Sequence, residues 1–339
     1  MKILITGSAG FIGGYLVEEF LKKGHTVVGI DNFSKYGETK RKVDSHPRYI
    51  FVKGDVKDRL LLKKLLRDCD HLIAGAAKIG GITYFHKLSY DLLSENERII
   101  ASTFDAAIDV FKYDKLKKIT VISSSMVYES TKQFPSREDS LMSFPPPLST
   151  YGFQKLSCEY FAKGAWEQYK LPYTIVRPFN CVGVGERRAK TGINIQSGNI
   201  TLAMSHVVPD LVLKIIKGQN PVHILGSGRQ TRCFTYGGDL AEGIYKAVVS
   251  PKAKNEIFNI SSSRETTILE LAKLIWKKIN PDTQFRYINE NPFIYDVQKR
   301  IPDTTKAKKI LGFEARTTLN EMLDEVIPWI KIQVRLGKI

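Results

Sequence analysis

Short apolar runs alternate with helical patterns through the first half of the chain. Mainly apolar runs of four or five residues, typical of buried strands, are predicted as strands over 2–6, 26–30, 49–52, 71–74, 118–122 and 173–176. Between them, apolar residues recur three or four positions apart, as at Leu16 and Phe20, which indicates helices. Strands that alternate with helices predict an α/β fold with a parallel sheet.

The first strand ends in a glycine-rich turn that opens the first helix. Gly7 permits a tight turn, Gly10 lets backbone N–H groups approach a pyrophosphate, and Gly13 lets the helix pack close to the sheet. Asp31 ends the second strand, where a carboxylate accepts ribose hydroxyls and repels a 2′-phosphate. Asn32 follows it instead of an arginine. The stretch predicts a doubly wound, Rossmann-type unit that binds NAD in preference to NADP.

The strand and helix alternation loosens past residue 178. Helical patterns recur there over 202–217, 239–249, 268–278 and 319–334, with short strands between them. We therefore predict an NAD-binding domain over 1–178 and a smaller, mainly substrate-binding α/β domain over 179–339. Segments around 233–260 are expected to return to the first domain.

Composition narrows the class of protein without naming a reaction. The chain has 339 residues, 43% of them hydrophobic, a net charge of +16 and four scattered cysteines. The cysteines predict a reduced, cytoplasmic protein with no disulfide and no zinc site, and the histidines show no metal-ligand spacing. The first strand starts at the N-terminus and no long apolar stretch occurs, so neither a signal peptide nor a membrane span is expected. The lysines are spread over predicted helices, which predicts solvated faces and no nucleic-acid site.

A tyrosine and a lysine four residues apart supply the candidate chemistry. Tyr151 and Lys155 lie on one face of a predicted helix, so the ammonium reaches the region of the phenol. A phenol is normally protonated at neutral pH, and an ammonium together with the positive nicotinamide ring favours the phenolate, a usable general base. The preceding strand opens into Ser123–Ser125, whose hydroxyls can hold the reacting oxygen near Tyr151.

Asp55 allows two interpretations on the sequence alone. It follows the third strand, where a carboxylate can accept a hydrogen bond from the adenine amino group. The alternative is an N-terminal cap for the helix predicted over 58–67. The two remain open at this stage.

The motifs together resemble the extended short-chain dehydrogenase/reductase family, and within it the nucleotide-sugar epimerases and dehydratases. In chain order they are the glycine turn 6–13, Asp31-Asn32, the segment 123–128, the Tyr151/Lys155 pair, Arg177–Asn180, and the segments 226–232 and 300–307. The resemblance implies an NAD site made of Gly7, Gly10, Phe11, Ile12, Gly13, Asp31, Asn32, Asp55, Val56, Lys78, Tyr151 and Lys155. It implies a catalytic hydroxyl at Ser124 and substrate contacts from Ser125, Asn180, His206, Arg232 and Arg300.

The same resemblance narrows the reaction. Related 4,6-dehydratases carry Asp-Glu directly after the catalytic Ser/Thr, decarboxylases carry Glu at the position of Met126, and 3,5-epimerases and fucose-type synthases use Cys there. Ser125-Met126 cannot exchange protons in these ways. What remains is reversible oxidation at C4, and hence a UDP-glucose 4-epimerase-like enzyme acting on a nucleotide sugar, with UDP-hexose expected. A net oxidoreductase and a non-catalytic NAD-binding regulatory protein stay as alternatives.

Further expectations concern specificity and assembly. His206 and Cys233 stand where related enzymes often carry other residues, which leaves the sugar open. The loop over 186–197, with Arg187, Arg188 and Lys190, is expected either to close over the substrate or to be an exposed loop. The family's homodimers use two long helices, here 90–113 and 151–169. Cys158, Tyr160 and Phe161 suit such an interface, with burial against the chain's own sheet as the alternative.

Overall fold

The computed structural model describes residues 1–38, 41–79, 88–186, 206–292 and 297–338. Seven parallel strands form its central sheet. They are β1 (Lys2–Thr6), β2 (Thr26–Asp31), β3 (Tyr49–Lys53), β4 (His71–Ala74), β5 (Lys118–Ile122), β6 (Tyr173–Pro178) and β11 (Glu256–Ile260). Their order across the sheet is β3-β2-β1-β4-β5-β6-β11. The predicted doubly wound, Rossmann-type α/β fold is confirmed.

The helices of the described residues either cover the two faces of this sheet or form the core of the second half of the chain. They are α1 (Phe11–Lys22), α2 (Arg59–Leu66), α3 (Ser89–Tyr113), α4 (Thr150–Tyr169), α5 (Val207–Ile216), α6 (Gly237–Val249), α7 (Ile268–Ile279) and α8 (Leu319–Arg335). On one face, α2, α3 and α4 bury apolar side chains such as Leu62 and Phe104. On the other, α1 and α6 bury Phe20 and Ile244. Each such burial contributes about 1.5–3 kcal/mol, so both layers hold the sheet.

The helix bounds lie within a few residues of those predicted, and one helix falls partly outside the described part of the chain. The pattern over 202–217 appears as α5 from Val207, and residues 202–205 lie outside the described residues. Among the described residues, no helix combines the length and the apolar character that a membrane crossing requires.

The second half of the chain adds three small sheets and a core of its own. Its strands are β7 (Cys181–Val182), β8 (Val222–Leu225), β9 (Thr231–Cys233), β10 (Thr235–Tyr236), β12 (Glu265–Thr267) and β13 (Tyr287–Glu290). They pair as β7 with β10, β9 with β12, and β8 with β13. Val212, Leu271 and Val326 belong to the core between α5, α7 and α8. Because β11 pairs with β6 in the main sheet, this half returns to the first; the proposed domain division stays a prediction.

The strand order reverses direction between β1 and β4. From β1 the chain builds outward to β2 and β3, and it then crosses back to β4 and continues to β5 and β6 on the other side. In open parallel sheets, ligands bind outside the carboxyl ends of the strands at such a switch point. The glycine turn after β1 lies at this crevice.

Candidate active site

Glycine is sterically required at two positions of the turn after β1. Gly7 has φ +73°, and a Cβ there would lie 2.9 Å from Ala76 Cα, in the segment that follows β4. A Cβ on Gly13 would lie 2.1 Å from Gly7 O. Gly10 N donates to Gly7 O at 3.0 Å, which closes the turn directly before α1. Backbone therefore approaches backbone here, and a pyrophosphate can reach the N–H groups at the start of α1.

The Asp31 carboxylate sits against this turn, as predicted. Its Oδ2 accepts from Ala9 N at 3.1 Å and its Oδ1 accepts from Phe33 N at 2.8 Å. Burial raises the pKa of Asp31, while these hydrogen bonds and the nearby Arg41 guanidinium act in the opposite direction. Arg41 also donates to Ser8 O at 2.6 Å. The carboxylate is thus held beside the pyrophosphate cradle, where it can accept ribose hydroxyls.

Asn32 and Asp55 meet at the ends of β2 and β3. Asn32 Nδ2 donates to Asp55 Oδ2 at 3.3 Å, and Asp55 Oδ1 accepts from Lys57 N at 2.9 Å. The helix cap considered as an alternative for Asp55 belongs to Asp58, whose Oδ1 accepts from Leu61 N at 3.0 Å. Asp55 therefore remains available at the carboxyl edge of the sheet.

The hydrophobic members of the predicted NAD site pack against the core beside it. Phe11 and Ile12 open α1 and are partly buried against the α1 and α6 layer. Val56 is buried on the opposite face of the sheet. These side chains support the turn, and their contact with NAD stays a prediction.

A buried asparagine fixes the backbone of Lys78. Asn96, on α3, is 1% exposed. Its Oδ1 accepts from Lys78 N at 2.7 Å, and its Nδ2 donates to Lys78 O at 3.0 Å. The two bonds hold the segment after β4 at the same edge as the glycine turn. Asn96 was missed at the sequence level, although a polar residue on the apolar face of a predicted helix was a usable signal.

Tyr151 and Lys155 lie on the first two turns of α4. Ser149 caps this helix, with its Oγ accepting from Gly152 N at 3.0 Å. Tyr151 is half-buried in the first turn. Lys155 is buried, and its Nζ donates to Ile122 O at 2.9 Å, at the end of β5. The ammonium is thereby held at the carboxyl edge of the sheet, one helical turn from the phenol.

The serine turn follows β5 directly. Ser124 Oγ accepts from Met126 N at 3.2 Å and caps a short 3₁₀ helix, Ser125–Tyr128. A hydroxyl that accepts in this way can still donate its own proton to a reacting oxygen. Ser125 and Met126 are both buried. Ser123 Oγ donates to Glu159 Oε1 at 2.6 Å, so the first serine of the triplet is committed to α4.

Two of the predicted substrate residues, Asn180 and Arg300, contact each other, and Asn180 also bonds the residue next to Arg232. Asn180 directly follows the Arg177-Pro178-Phe179 run, and its side chain bridges two segments. Its Nδ2 donates to Cys233 O at 3.1 Å, next to Arg232, and its Oδ1 accepts from Arg300 Nη1 at 3.4 Å. Two guanidinium groups and an amide suit a diphosphate, because guanidinium binds phosphate oxygens bidentately.

His206 has a different partner. It precedes α5, and its Nδ1 lies 2.6 Å from Oε1 of the buried Glu186. This bond agrees with a hydrogen-bonding role more than with catalysis. The predicted closing loop beyond Glu186, with Arg187, Arg188 and Lys190, lies outside the described residues.

Residues 3–261 match the NAD dependent epimerase/dehydratase family. The chain belongs to this family. The resemblance inferred from the motifs is confirmed.

Proteins similar to this chain are named for more than one reaction. A putative UDP-glucose 4-epimerase of Methanocaldococcus jannaschii is 30% identical, covering 97% of this chain and 98% of its own. A UDP-N-acetyl-alpha-D-glucosaminuronate decarboxylase of Bacillus cytotoxicus is also 30% identical, with the same coverage. Among solved structures, a UDP-glucuronic acid 4-epimerase of Bacillus cereus, in complex with UDP-glucuronic acid and NAD, has a TM-score of 0.82 and 27% identity, covering 98% of this chain and 99% of its own.

The cofactor of this epimerase/dehydratase family member is NAD. The structure fits it. Added Cβ atoms at Gly7 and Gly13 would clash with the backbone of Ala76 and of Gly7, so this turn needs glycine, and the Asp31 carboxylate stands beside it. The prediction of NAD is confirmed. The individual residues named for its site stay predictions.

Proposed function

We propose that this chain is an NAD-dependent epimerase that inverts C4 of a nucleotide sugar, with a UDP-hexose as substrate. One observation carries the proposal. The Tyr151/Lys155 pair is set at the carboxyl edge by the Lys155 bond to Ile122 O, while the two residues after Ser124 are a buried serine and methionine. Tyr151 can therefore act as the base for alcohol oxidation. Ser125 and Met126 add no second acid or base for the loss of water.

The mechanism follows from the placement of these side chains. Lys155 stabilises the phenolate form of Tyr151, which then accepts the proton of the C4 hydroxyl and becomes a neutral phenol, and Ser124 donates to the developing carbonyl oxygen. NAD, which the glycine turn and Asp31 would hold, would supply the acceptor and later the donor of the C4 hydride with its electron pair. The C4 oxygen recovers its proton from Tyr151, so atoms and electrons balance over the cycle.

Inversion requires that the sugar turn while its nucleotide stays in place. Arg232, Arg300 and Asn180 suit that anchor, because a diphosphate held by guanidinium groups fixes one end of the substrate and leaves the hexose able to rotate. Hydride then returns to the opposite face of C4. The cofactor leaves the cycle unchanged, so it can remain bound between turnovers.

The relatives leave decarboxylation as the competing outcome. One of the two 30% identical proteins is named a decarboxylase of a nucleotide uronic acid. Oxidation at C4 is common to both reactions, because a 4-keto sugar acid loses carbon dioxide readily. The sequence argument against it is Met126, which cannot exchange a proton.

The test is turnover without added cofactor. The purified protein is incubated with UDP-glucose, UDP-N-acetylglucosamine, UDP-glucuronic acid, and GDP- and dTDP-sugars, and the products are resolved. The expected result is a C4-inverted UDP-sugar and no net change in bound NAD. Carbon dioxide release would replace the epimerase with a decarboxylase. A keto product formed in proportion to added NAD⁺, or a reduced product formed in proportion to added NADH, would replace it with a net oxidoreductase.

We further propose a homodimer formed through α3 and α4. Tyr90 on α3 and Tyr160 on α4 are 68% and 57% exposed. Cys158 is instead buried in the chain's own core, and Phe161 stacks on Phe104 with ring centroids 5.9 Å apart. Of the three interface candidates, only Tyr160 is thus left largely exposed. Tyr160→Glu is expected to give monomers in sedimentation, whereas Leu60→Glu, at an exposed site on α2, leaves the mass unchanged.

A further inference from the structure

A buried ion pair connects the catalytic helix to the sheet. Glu159, on α4, and Arg177, on β6, are both 0% exposed. Arg177 Nε and Nη2 donate to the two carboxylate oxygens of Glu159 at 2.8 and 2.7 Å. Burying two charges costs free energy that even a bidentate pair recovers only in part, and apolar replacement is often as stable. Stability alone therefore does not explain the pair.

The same pair fixes both ends of the serine turn. Before Ser124, the Ser123 hydroxyl donates to Glu159 Oε1 at 2.6 Å. After it, Tyr128 ends the 3₁₀ helix that Ser124 caps, and its hydroxyl accepts from Arg177 Nη1. The candidate catalytic hydroxyl thus lies between two anchors that belong to one ion pair.

From Tyr128 the network continues toward the substrate residues. The Tyr128 hydroxyl donates to Asn259 Oδ1 at 2.8 Å, and burial raises the pKa of Tyr128, which keeps the donor protonated. Asn259 Nδ2 donates to Ser136 O at 2.9 Å and to Asp303 O at 3.0 Å. Ser136 also pairs with the backbone on either side of Pro302, two residues after Arg300.

Helical spacing places the pair in register with the chemistry. Tyr151, Lys155 and Glu159 follow one another at intervals of four, on one face of α4. Glu159 is therefore the next residue inward on the face that carries the base and its ammonium. A shift of Glu159 relative to Ser123 would move the serine turn along that face.

We propose that Glu159, Arg177 and Tyr128 are positioning residues, which hold Ser124 in register with Tyr151 and tie that register to the Arg300 segment. The inference rests on the proposed function for the reaction it serves. Misplacement of reacting groups by about 1 Å can lower the rate about 100-fold. Precise positioning therefore gives a reason for the buried ion pair that stability alone does not.

The first test removes one hydroxyl and keeps the ring. Tyr128→Phe loses the link between Arg177 and Asn259. We expect kcat per folded, NAD-loaded site to fall about 10-fold to 100-fold, with faster amide hydrogen exchange in both 123–128 and 301–303. The matched control is Thr174→Val, which removes a different buried hydroxyl, on β6, one that donates to Ala253 O at 2.6 Å. In the control, kcat and the amide hydrogen exchange rates of both segments are expected to equal those of the wild type.

The second test separates position from stability. The double variant Glu159→Met with Arg177→Met replaces the pair by apolar side chains, so we expect the melting temperature to stay near that of the wild type while kcat falls at least as far as in Tyr128→Phe. KM is expected to change less than kcat. A double variant with unchanged melting temperature and unchanged kcat would overturn the proposal. If it does not fold, Tyr128→Phe decides alone.

Turnover and hydrogen exchange together distinguish a failure of this inference from a failure of the proposed function. If the wild-type protein inverts no nucleotide sugar, the 4-epimerase proposal fails, and hydrogen exchange still tests the coupling because it needs no substrate. Exchange that quickens only at 123–128, or in neither segment, means that the network does not join the two sides. Exchange that quickens in both, with kcat unchanged, means that it joins them without positioning the chemistry, and that too rejects the proposal.

Discussion

The cofactor side and the proposed substrate side of the candidate active site are formed by different kinds of contact. On the cofactor side, backbone meets backbone, with Gly13 so close to Gly7 that a single methyl group would lie 2.1 Å from a carbonyl oxygen. On the substrate side, Arg300 reaches Asn180 through side-chain atoms 3.4 Å apart. Backbone contacts set whether a ligand fits at all, whereas side-chain contacts set how tightly it is held.

This difference has a functional meaning. The family is NAD dependent, so its members share the need to hold this cofactor. The sugar and the reaction differ among the relatives, from 4-epimerases to a decarboxylase. A substrate side made of long side chains can change its specificity by substitution without disturbing the cofactor. Variants on the two sides should therefore fail in different measurements.

The largest effect is expected at the boundary between the sides, where the chemistry takes place. Tyr151→Phe removes the proton acceptor and keeps the ring, so kcat should fall about 100-fold to 10,000-fold, the range of a lost general acid–base group. NAD content and KM should change little. Measurement of turnover beside bound NAD after gel filtration checks this. Normal turnover would end the assignment of Tyr151 and revive the non-catalytic reading.

The next largest effect tests the cradle. Gly13→Ala puts a Cβ against Gly7 O, so the turn must move, and NAD should be lost on purification with affinity reduced about 10-fold to 100-fold. Gly14→Ala is the matched control, because a Cβ there meets nothing within 4 Å in the same helix. The control should retain NAD and gain about 0.5–1 kcal/mol of stability. Equal NAD retention in both variants would contradict a cradle made of backbone.

The same contrast explains what could be predicted from the sequence. The glycine turn, Asp31 and the Tyr151/Lys155 pair depend on local spacing, so the chain order exposes them. Asn96 bonds the backbone of Lys78, 18 residues earlier in the chain. Predicting this contact requires knowledge of where α3 packs. Arg177 could be read as part of a motif, but its partner Glu159 follows only once α4 lies on β6. Contacts between distant segments are set by packing, which spacing does not encode.

A substrate-side variant should change binding and spare the cofactor. Arg300→Gln removes a charge from the proposed diphosphate site, and charge-assisted hydrogen bonds contribute about 1.5–3 kcal/mol, so KM should rise about 10-fold to 100-fold. Bound NAD and the melting temperature should stay the same. Lys299→Gln is the control, because it removes the same charge from the exposed neighbouring residue. Loss of NAD in Arg300→Gln would show that the two sides are not separable.

The smallest effect is a pH dependence of NAD binding. Burial raises the pKa of the Asp31 carboxyl in the unliganded protein, and ribose hydroxyls donate to its ionised form. The complex therefore favours the carboxylate. The affinity for NAD should be highest at pH values above the raised pKa of Asp31, and it should fall as the pH drops through that pKa. The decline should begin at a higher pH than for an ordinary aspartate, near pKa 3.9.

Titration of NAD into the unliganded protein over an acidic pH series measures this dependence. Asp31→Asn should bind NAD several-fold more weakly and without the same pH dependence, because it has no proton to exchange. An identical acidic decline in both proteins would assign the effect to another group. A decline that appears in the wild type alone would make Asp31 a titrating side-chain contact of NAD, beside the backbone contacts of the glycine turn.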